Sequence, residues 1–369
     1  MRISYLSAVC KRFDAISNAV SQEMRWLDSE GRQTHLFTYS CNQPNLRYTR
    51  VRTLSDVALH PYFQHSDLIV CHFGVYFDMF DAILAAPRSA RILIVFHNIT
   101  PKYFVAPEQH DLIDRSFAQM ANIQHADRVI CVSETNLAVM REAGISTPAT
   151  VQPQAVPGGW SAPASKPSQH DGVIRLLFIG RFVRSKGLPD LLQAVESLMQ
   201  FDELPRLELA LVGNLALSGR DVVAEVQRIA TALQSRYPDR LAIHMHFSID
   251  DTVKRKLLSD ADVFVLPTYH EGFCVPIVEA ISSGCRVVTY NNSNTPSISR
   301  GLAELVETGN IAALATRLRQ VITAARPSRQ ASRRYDAYRE QVREFALPFS
   351  EHRVKEAFLS EVGALLRPD

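Results

Sequence analysis

The stretch that decides the fold is ADVFVLPTYHEGFCVPIVEAISSGCRVV, residues 261–288. It reads as a short apolar strand, a polar turn carrying Glu271 and Gly272, and a helix with Pro276 and Glu279 near its start. A cap at Gly284 and the next strand follow. A strand, a small-residue turn and a helix start form the place where open α/β sheets take ligands, because the unsatisfied amides and the helix dipole there favour anions. Two carboxylates beside an anion site need an explanation. Taken singly, Glu271 reads as a first-turn acid favoured by the dipole, and Glu279 as solvated helix surface. Taken together, an acid on the turn and another in the first helical turns can face one cleft and accept hydroxyls, one from a ligand and the other from a ribose diol.

Outward from this stretch, strands alternate with helices. The first half offers RISYLSA, THLFTYS, DLIVCHFG, RILIVFHN and RVICVSE, with AISNAVSQEMRWLDSEG as a helix ending at Gly31. In the second half the strands are IRLLFIGRF, LELALVGN, LAIHMHF, DVFVLPT and CRVVTY, separated by LPDLLQAVESLMQF, DVVAEVQRIATALQSRY and DDTVKRKLLSDA. Short apolar strands alternating with helices imply parallel sheets covered on both faces. The Pro-, Gly- and Ser-rich run VQPQAVPGGWSAPASKPSQHDG reads as a linker. The resulting plan is α/β, with two doubly wound domains facing each other across a cleft. A first domain occupies 1–155, a linker 156–172, a second domain 173–335, and C-terminal helices 336–369 cross back to the first. In that tail, Val354, Phe358, Val362 and Leu365 fall at helical spacing, a stripe that needs a partner surface.

Composition limits what the site can serve. A chain of 369 residues is long enough for two cores, and 46% hydrophobic with 21% charged residues is the balance of a globular protein. A net charge of +2 gives no reason to expect nucleic acid. The six cysteines show no CxxC pairing and lie mostly in apolar runs, which predicts reduced core thiols in a cytoplasmic protein. The start, MRISYLSAVCKRF, is interrupted by polar residues too early for a signal peptide, and no apolar run is long enough to span a bilayer. A soluble or peripheral protein is expected.

The second informative element is LLFIGRFVRSKGLPDLLQAV, residues 176–195. A strand ends at Gly180, Arg181 follows at once, and Lys186-Gly187 sits just before a helix. An exposed basic loop would look the same. Beside the acidic turn, however, Arg and Lys at the mouth of a strand-to-helix turn suit a diphosphate, and the combination describes a nucleotide-sugar site.

Together with LELALVGN, the acidic turn and the terminal LPFSEHRVKEAFLSEV, this loop resembles the retaining GT-B glycosyltransferases of glycosyltransferase family 4. The resemblance covers nearly the whole chain and is strongest over 174–290. VFHNITPKYF resembles the His-bearing loop of that family, in particular of members that assemble bacterial surface polysaccharides. It implies that Arg181 and Lys186 hold the donor diphosphate, that Glu279 meets the ribose hydroxyls, and that Glu271 meets hydroxyls of the transferred sugar. Backbone around Gly180, Gly213, Gly272, Phe273, Cys274 and Val275 completes the donor site, and His97 faces the sugar from the other domain. His97, Glu271, Arg181 and Lys186 are then the catalytic candidates. Where many family members have a pair of glycines in the first strand-to-helix turn, this chain has Asp14, Ala15, Ile16 and Ser17. These four, with His72, are the acceptor-side candidates.

The implied reaction is transfer of a hexose, mannose being one option, with retention of configuration. The donor is a nucleoside-diphosphate sugar and the acceptor a saccharide or a lipid-linked saccharide. No cofactor and no metal are expected, because two cations and a helix terminus neutralise the leaving diphosphate. Asp260 and Asp262 have the spacing that metal-dependent glycosyltransferases use, but Asp260 closes a helix and Asp262 begins a buried strand. His244 and His246 share a strand face without a third ligand in register. The Arg-rich run TRLRQVITAARPSRQASRRYDAYRE reads as solvated helix, with contact to anionic lipid as a second option if the acceptor is lipid-borne. A nucleotide-sugar-binding protein without turnover, and another GT-B activity such as a nucleotide-sugar epimerase, are the alternatives. A phosphorylase would carry a lysine-bound pyridoxal cofactor, for which there is no signature.

Overall fold

The computed structural model describes residues 1–11, 14–156 and 161–367. The linker residues 157–160 lie outside that range. The chain divides into two compact units, one made of Met1–Ala155 with Phe349–Asp369, the other of Val156–Pro348.

In the first unit a seven-stranded sheet runs, edge to edge, Tyr48–Arg50, Gln33–Thr38, Arg2–Leu6, Leu68–Phe73, Arg91–Phe96, Arg128–Cys131 and Ala149–Val151, every pair parallel. The order reverses between Arg2–Leu6 and Leu68–Phe73, so loops leaving those two strands diverge and open a crevice at their carboxyl ends. Leu68–Phe73 is buried along its whole length, as a central parallel strand covered on both faces must be. Phe73 stacks on Phe80 at 4.3 Å between ring centres within the core. A small parallel pair, Val9–Cys10 with Ser40–Cys41, extends past the first crossover. The C-terminal helix Glu351–Leu365 belongs to this unit: Val354, Phe358 and Val362 are buried, Phe358 meets Trp26, and the Trp26 indole N–H donates to Glu351 at 3.0 Å.

The second unit repeats the plan with six parallel strands, Leu241–Phe247, Leu207–Gly213, Ile174–Ile179, Val263–Leu266, Arg286–Tyr290 and Ala303–Val306. Its switch point lies between Ile174–Ile179 and Val263–Leu266, the strands that lead into the basic loop and the acidic turn. Asp262 does structural work. Its carboxylate accepts the Arg175 amide at 2.9 Å and the Ser168 hydroxyl, joining the stretch before one switch strand to the start of the other. Asp260 ends the helix Asp251–Asp260 and pairs with Lys256 at 2.7 Å. No cluster of potential metal ligands exists among the described residues.

All ten strands expected from sequence are present. The three others in the two large sheets, Tyr48–Arg50, Ala149–Val151 and Ala303–Val306, are edge strands of three or four residues, too short to show periodicity. The Pro- and Ser-rich stretch is also not a loose tether. Buried Lys166 donates to the carbonyls of Leu258, Ser259 and Ser283, at 3.4, 2.9 and 3.0 Å, satisfying the ends of two helices. Helix Arg329–Ala346 remains with the second unit, and the return to the first begins at Phe349 rather than 336. None of the six cysteines is bridged. No helix among the described residues is long and apolar enough to cross a membrane.

Candidate functional site

In the second unit the two switch-point loops are pressed together. Gly187 is left-handed at φ +64°, and a Cβ there would lie 2.0 Å from the carbonyl oxygen of Pro267. Only glycine allows this approach. Around it, the Ser185 carbonyl accepts from the Tyr269 amide at 2.8 Å and the Thr268 hydroxyl at 3.1 Å. The contact carries Lys186 to the acidic turn, where its ammonium donates to Glu271 at 2.5 Å. Arg181 is exposed and has no acid partner among the described residues. Gly213 gives room to a neighbour, since a Cβ on it would fall 2.6 Å from the buried Phe182 ring.

The turn after Val263–Leu266 is held from a third side. The Glu271 amide donates to the Ser293 hydroxyl at 2.9 Å, the Asn294 amide group to the Phe273 carbonyl at 2.9 Å, and that of Asn292 to the Thr268 carbonyl at 2.8 Å. The Tyr269 and Tyr290 hydroxyls converge on Asp190 at 2.6 and 2.7 Å, and burial beside that carboxylate pushes the Tyr269 phenol up to about 12. Cys274 enters the helix Val275–Ser282 at φ +79°, a left-handed conformation that costs a non-glycine residue about 1–3 kcal/mol, and its side chain makes no cap. Pro276 follows in the first turn, and the amides of Cys274 and Val275 precede the first bond within the helix. Burial and the nearby Glu271 charge hold the Cys274 thiol well above its ordinary value.

Glu279 lies on that same helix and is 3% exposed. Burial raises its carboxyl above the ordinary glutamate value, opposed by Lys254, whose ammonium donates to it at 2.7 Å. Each acid therefore has its own lysine, delivered by a different element: Lys186 by the loop after the first switch strand, Lys254 by the helix Asp251–Asp260. A charge in so dry a place needs such a partner.

The first unit is built differently. Asp14 caps the helix Ala15–Ser29, accepting from the Ser17 amide at 2.9 Å and the Ser17 hydroxyl at 2.7 Å. Ala15 is exposed, and Ile16 reaches toward Gly74. His97 follows the strand Arg91–Phe96 and is brought close to Gly74, where a Cβ would lie 3.1 Å from its own. Its Nε2 lies 2.9 Å from Nδ1 of His72, and its Nδ1 lies 3.2 Å from the side-chain nitrogen of Gln154. His72 Nε2 lies 2.9 Å from Glu23, and the two imidazoles stack at 5.1 Å. The His97 ring thus bonds to side chains rather than to the backbone of the NITP loop. Burial, and then the His72 ring, lower its basicity well below that of a free histidine.

With this geometry in place, the comparisons with known proteins become informative. Residues 164–340 match the family of glycosyl transferases, group 1. A stretch of 148 residues, 40% of the chain, is 30% identical to glycogen synthase of Thioalkalivibrio sulfidiphilus (strain HL-EbGR7) and covers 27% of that protein. The chain thus matches only about a quarter of that relative's length. Sucrose-phosphate synthase from Thermosynechococcus elongatus is similar in structure, with a TM-score of 0.74 and 20% identity over 99% of each chain. A glycosyltransferase from Rickettsia africae ESF-5 gives a TM-score of 0.74 at 15% identity over 100% of each. At such identities the likeness is one of fold, and the fold is GT-B: two α/β domains, each on a parallel sheet.

Within the residues that match that family, 164–340, lie all the donor-side candidates, Gly180 to Glu279. The structure joins Lys186 to Glu271 and supports Phe273, and it places Glu279 with Lys254. Sequence reading missed Lys254 and the prop Asn292-Ser293-Asn294. The prop had a signal, the polar run NNSNT directly after a strand, whereas Lys254 looked like one more charge on an amphipathic helix. Glu23, on the helix Ala15–Ser29, was missed for the same reason, and Gln154, in the irregular stretch after Ala149–Val151, carries no motif.

Proposed function

We propose that this chain is a retaining glycosyltransferase, of the family 4 kind, that moves a hexose from a nucleoside-diphosphate sugar to a saccharide or lipid-linked saccharide acceptor. The observation that carries the reading is the Lys186–Glu271 pair, fixed by the Gly187–Pro267 contact at a switch point inside the group 1 match. A cation anchored beside a turn with open helix amides receives a diphosphate, and the acid anchoring it has a second oxygen for a sugar hydroxyl. Glu279, buried and paired, takes the ribose diol. The bond from the sugar's anomeric carbon to the diphosphate oxygen breaks with its electron pair going to the diphosphate. Arg181 and Lys186 stabilise that charge, and the acceptor oxygen bonds to the same face and gives its proton to the departing diphosphate oxygen.

The first unit carries the catalytic candidate His97 and the acceptor-side candidates Asp14, Ala15, Ile16, Ser17 and His72. Two side-chain cations and a helix N-terminus supply the charge that a divalent metal supplies elsewhere, so the reaction proceeds without one. The resemblance of the His-bearing loop to that of surface-polysaccharide enzymes supports a reaction at the cytoplasmic face of a membrane, on a peripheral protein. Incubation with a panel of nucleotide sugars tests the reading. Nucleoside diphosphate should be released, faster with the right acceptor and equally with chelator present. No release from any donor would overturn it, and activity abolished by chelator and restored by manganese would overturn the metal-free step.

A further inference from the structure

The chain Glu23–His72–His97–Gln154 has its protons fixed from both ends. A carboxylate only accepts, so the His72 nitrogen that meets Glu23 at 2.9 Å, Nε2, carries the hydrogen. With that hydrogen on Nε2, Nδ1 of His72 is assigned as the acceptor, and the facing His97 Nε2, 2.9 Å away, is an N–H that donates to it. That leaves a lone pair at His97 Nδ1. At the far end the partner of Nδ1 is the side-chain nitrogen of Gln154, a group that only donates, at 3.2 Å. The two ends agree on one arrangement.

The supports are rigid. His72 is 3% exposed in the fully buried central strand, and Glu23 is buried on the helix Ala15–Ser29 with the Tyr5 hydroxyl at 3.5 Å. We propose that Glu23 and His72 are positioning residues for His97: they hold its hydrogen at Nε2 and present Nδ1 as the acceptor for a ligand hydroxyl. The side-chain N–H of Gln154 then occupies the place of that hydroxyl. The logic is that of a base oriented by a third group, extended by one imidazole. The inference rests on the reading of His97 as a participant in the transfer proposed above.

The test uses the full chain with ¹⁵N-labelled histidine. Long-range ¹H–¹⁵N spectra, assigned with His72→Asn and His97→Ala, should show both rings neutral with the hydrogen on Nε2. A hydrogen on His97 Nδ1, or a charged His97 at neutral pH, overturns the proposal. In parallel, nucleoside diphosphate release from UDP-glucose and GDP-mannose is followed in two variants at position 72. The amide oxygen of His72→Asn keeps an acceptor where Nδ1 stood but loses the bond to Glu23, so turnover should fall below wild type by less than in His72→Phe. His72→Phe removes the acceptor, and turnover should fall about 10- to 100-fold at unchanged donor KM, the scale of a misplaced reacting group. Equal turnover in the two variants, with both folded by circular dichroism, also overturns it. If the wild type releases no diphosphate from either donor, the transferase reading fails, while the spectra still decide where His97 carries its hydrogen.

Discussion

The two units share a sheet order but differ at the helix entrances beside their switch points. In the first, Asp14 puts a carboxylate on the opening amides of Ala15–Ser29, so that helix entrance is already filled by the protein's own acid. In the second, left-handed Gly187 and Cys274 precede Leu188–Leu198 and Val275–Ser282 and give no side-chain cap to either helix. The side chains follow the same division. The first unit gathers two imidazoles ending on one acid, and the second pairs each acid with a lysine. One topology thus carries two kinds of helix entrance, one closed by a carboxylate and one left without a side-chain cap.

The severest challenge to this contrast is Lys186→Ala. On the proposed reading it strips the donor diphosphate of a cation, and it leaves Glu271 uncompensated, so turnover should fall by the equivalent of about 2–4 kcal/mol in the barrier. Stability should fall by about 3 kcal/mol, as for a broken buried pair. Lys186→Ala/Glu271→Gln should recover most of the stability and none of the turnover. Rates at saturating donor and urea unfolding measure both, and wild-type turnover in the single variant would remove Lys186 from the site.

Gly187→Ala comes next. The left-handed backbone alone should cost about 1–3 kcal/mol, and the clash with Pro267 should shift the loop that carries Lys186. Donor affinity by calorimetry should drop together with the unfolding midpoint. A variant as stable as wild type that binds donor normally would show the loop contact to be dispensable.

Asp14→Ala sharpens the comparison from the other side. Loss of the cap should cost about 1 kcal/mol of stability with donor affinity unchanged. Weaker donor binding in this variant would make the first unit's helix entrance part of the anion site and break the contrast.

The smallest effect is expected from Glu279→Gln. Burial raises the carboxyl's folded pKa above its unfolded value, so the folded state binds the proton more tightly. The group therefore costs stability once pH exceeds the folded pKa. That cost fades as pH falls through the folded pKa and is gone below the ordinary glutamate value. Glu279→Gln should thus be at least as stable as wild type at neutral pH, with the difference shrinking toward acid, while donor affinity falls. Denaturant unfolding at several pH values gives the first and calorimetry the second. A wild type that gains stability relative to the variant as pH rises would reverse the assigned direction.

How much of this was legible follows from the kind of force involved. The central strands and most helices were readable because burying apolar side chains imposes a period on sequence, and Leu68–Phe73 or Leu188–Leu198 carry it plainly. Gly187, Glu271 and Glu279 were readable as a motif, since a left-handed turn and a helix entrance restrict which residues can stand there. Edge strands of three or four residues lack enough positions to show a period.

The sequence by itself determined two parallel-sheet domains, the switch-point loops and the acids on one of them, because these depend on neighbours a few residues apart. Only the tertiary structure decided the partners: Lys254 for Glu279, Ser293 and Asn294 for the acidic turn, Glu23 and Gln154 for the ends of the histidine chain. Hydrogen bonds and ion pairs act over about 3 Å in space and leave no periodic trace along the chain. A lysine that neutralises a buried carboxylate from 25 residues away is written like any other lysine on a helix surface.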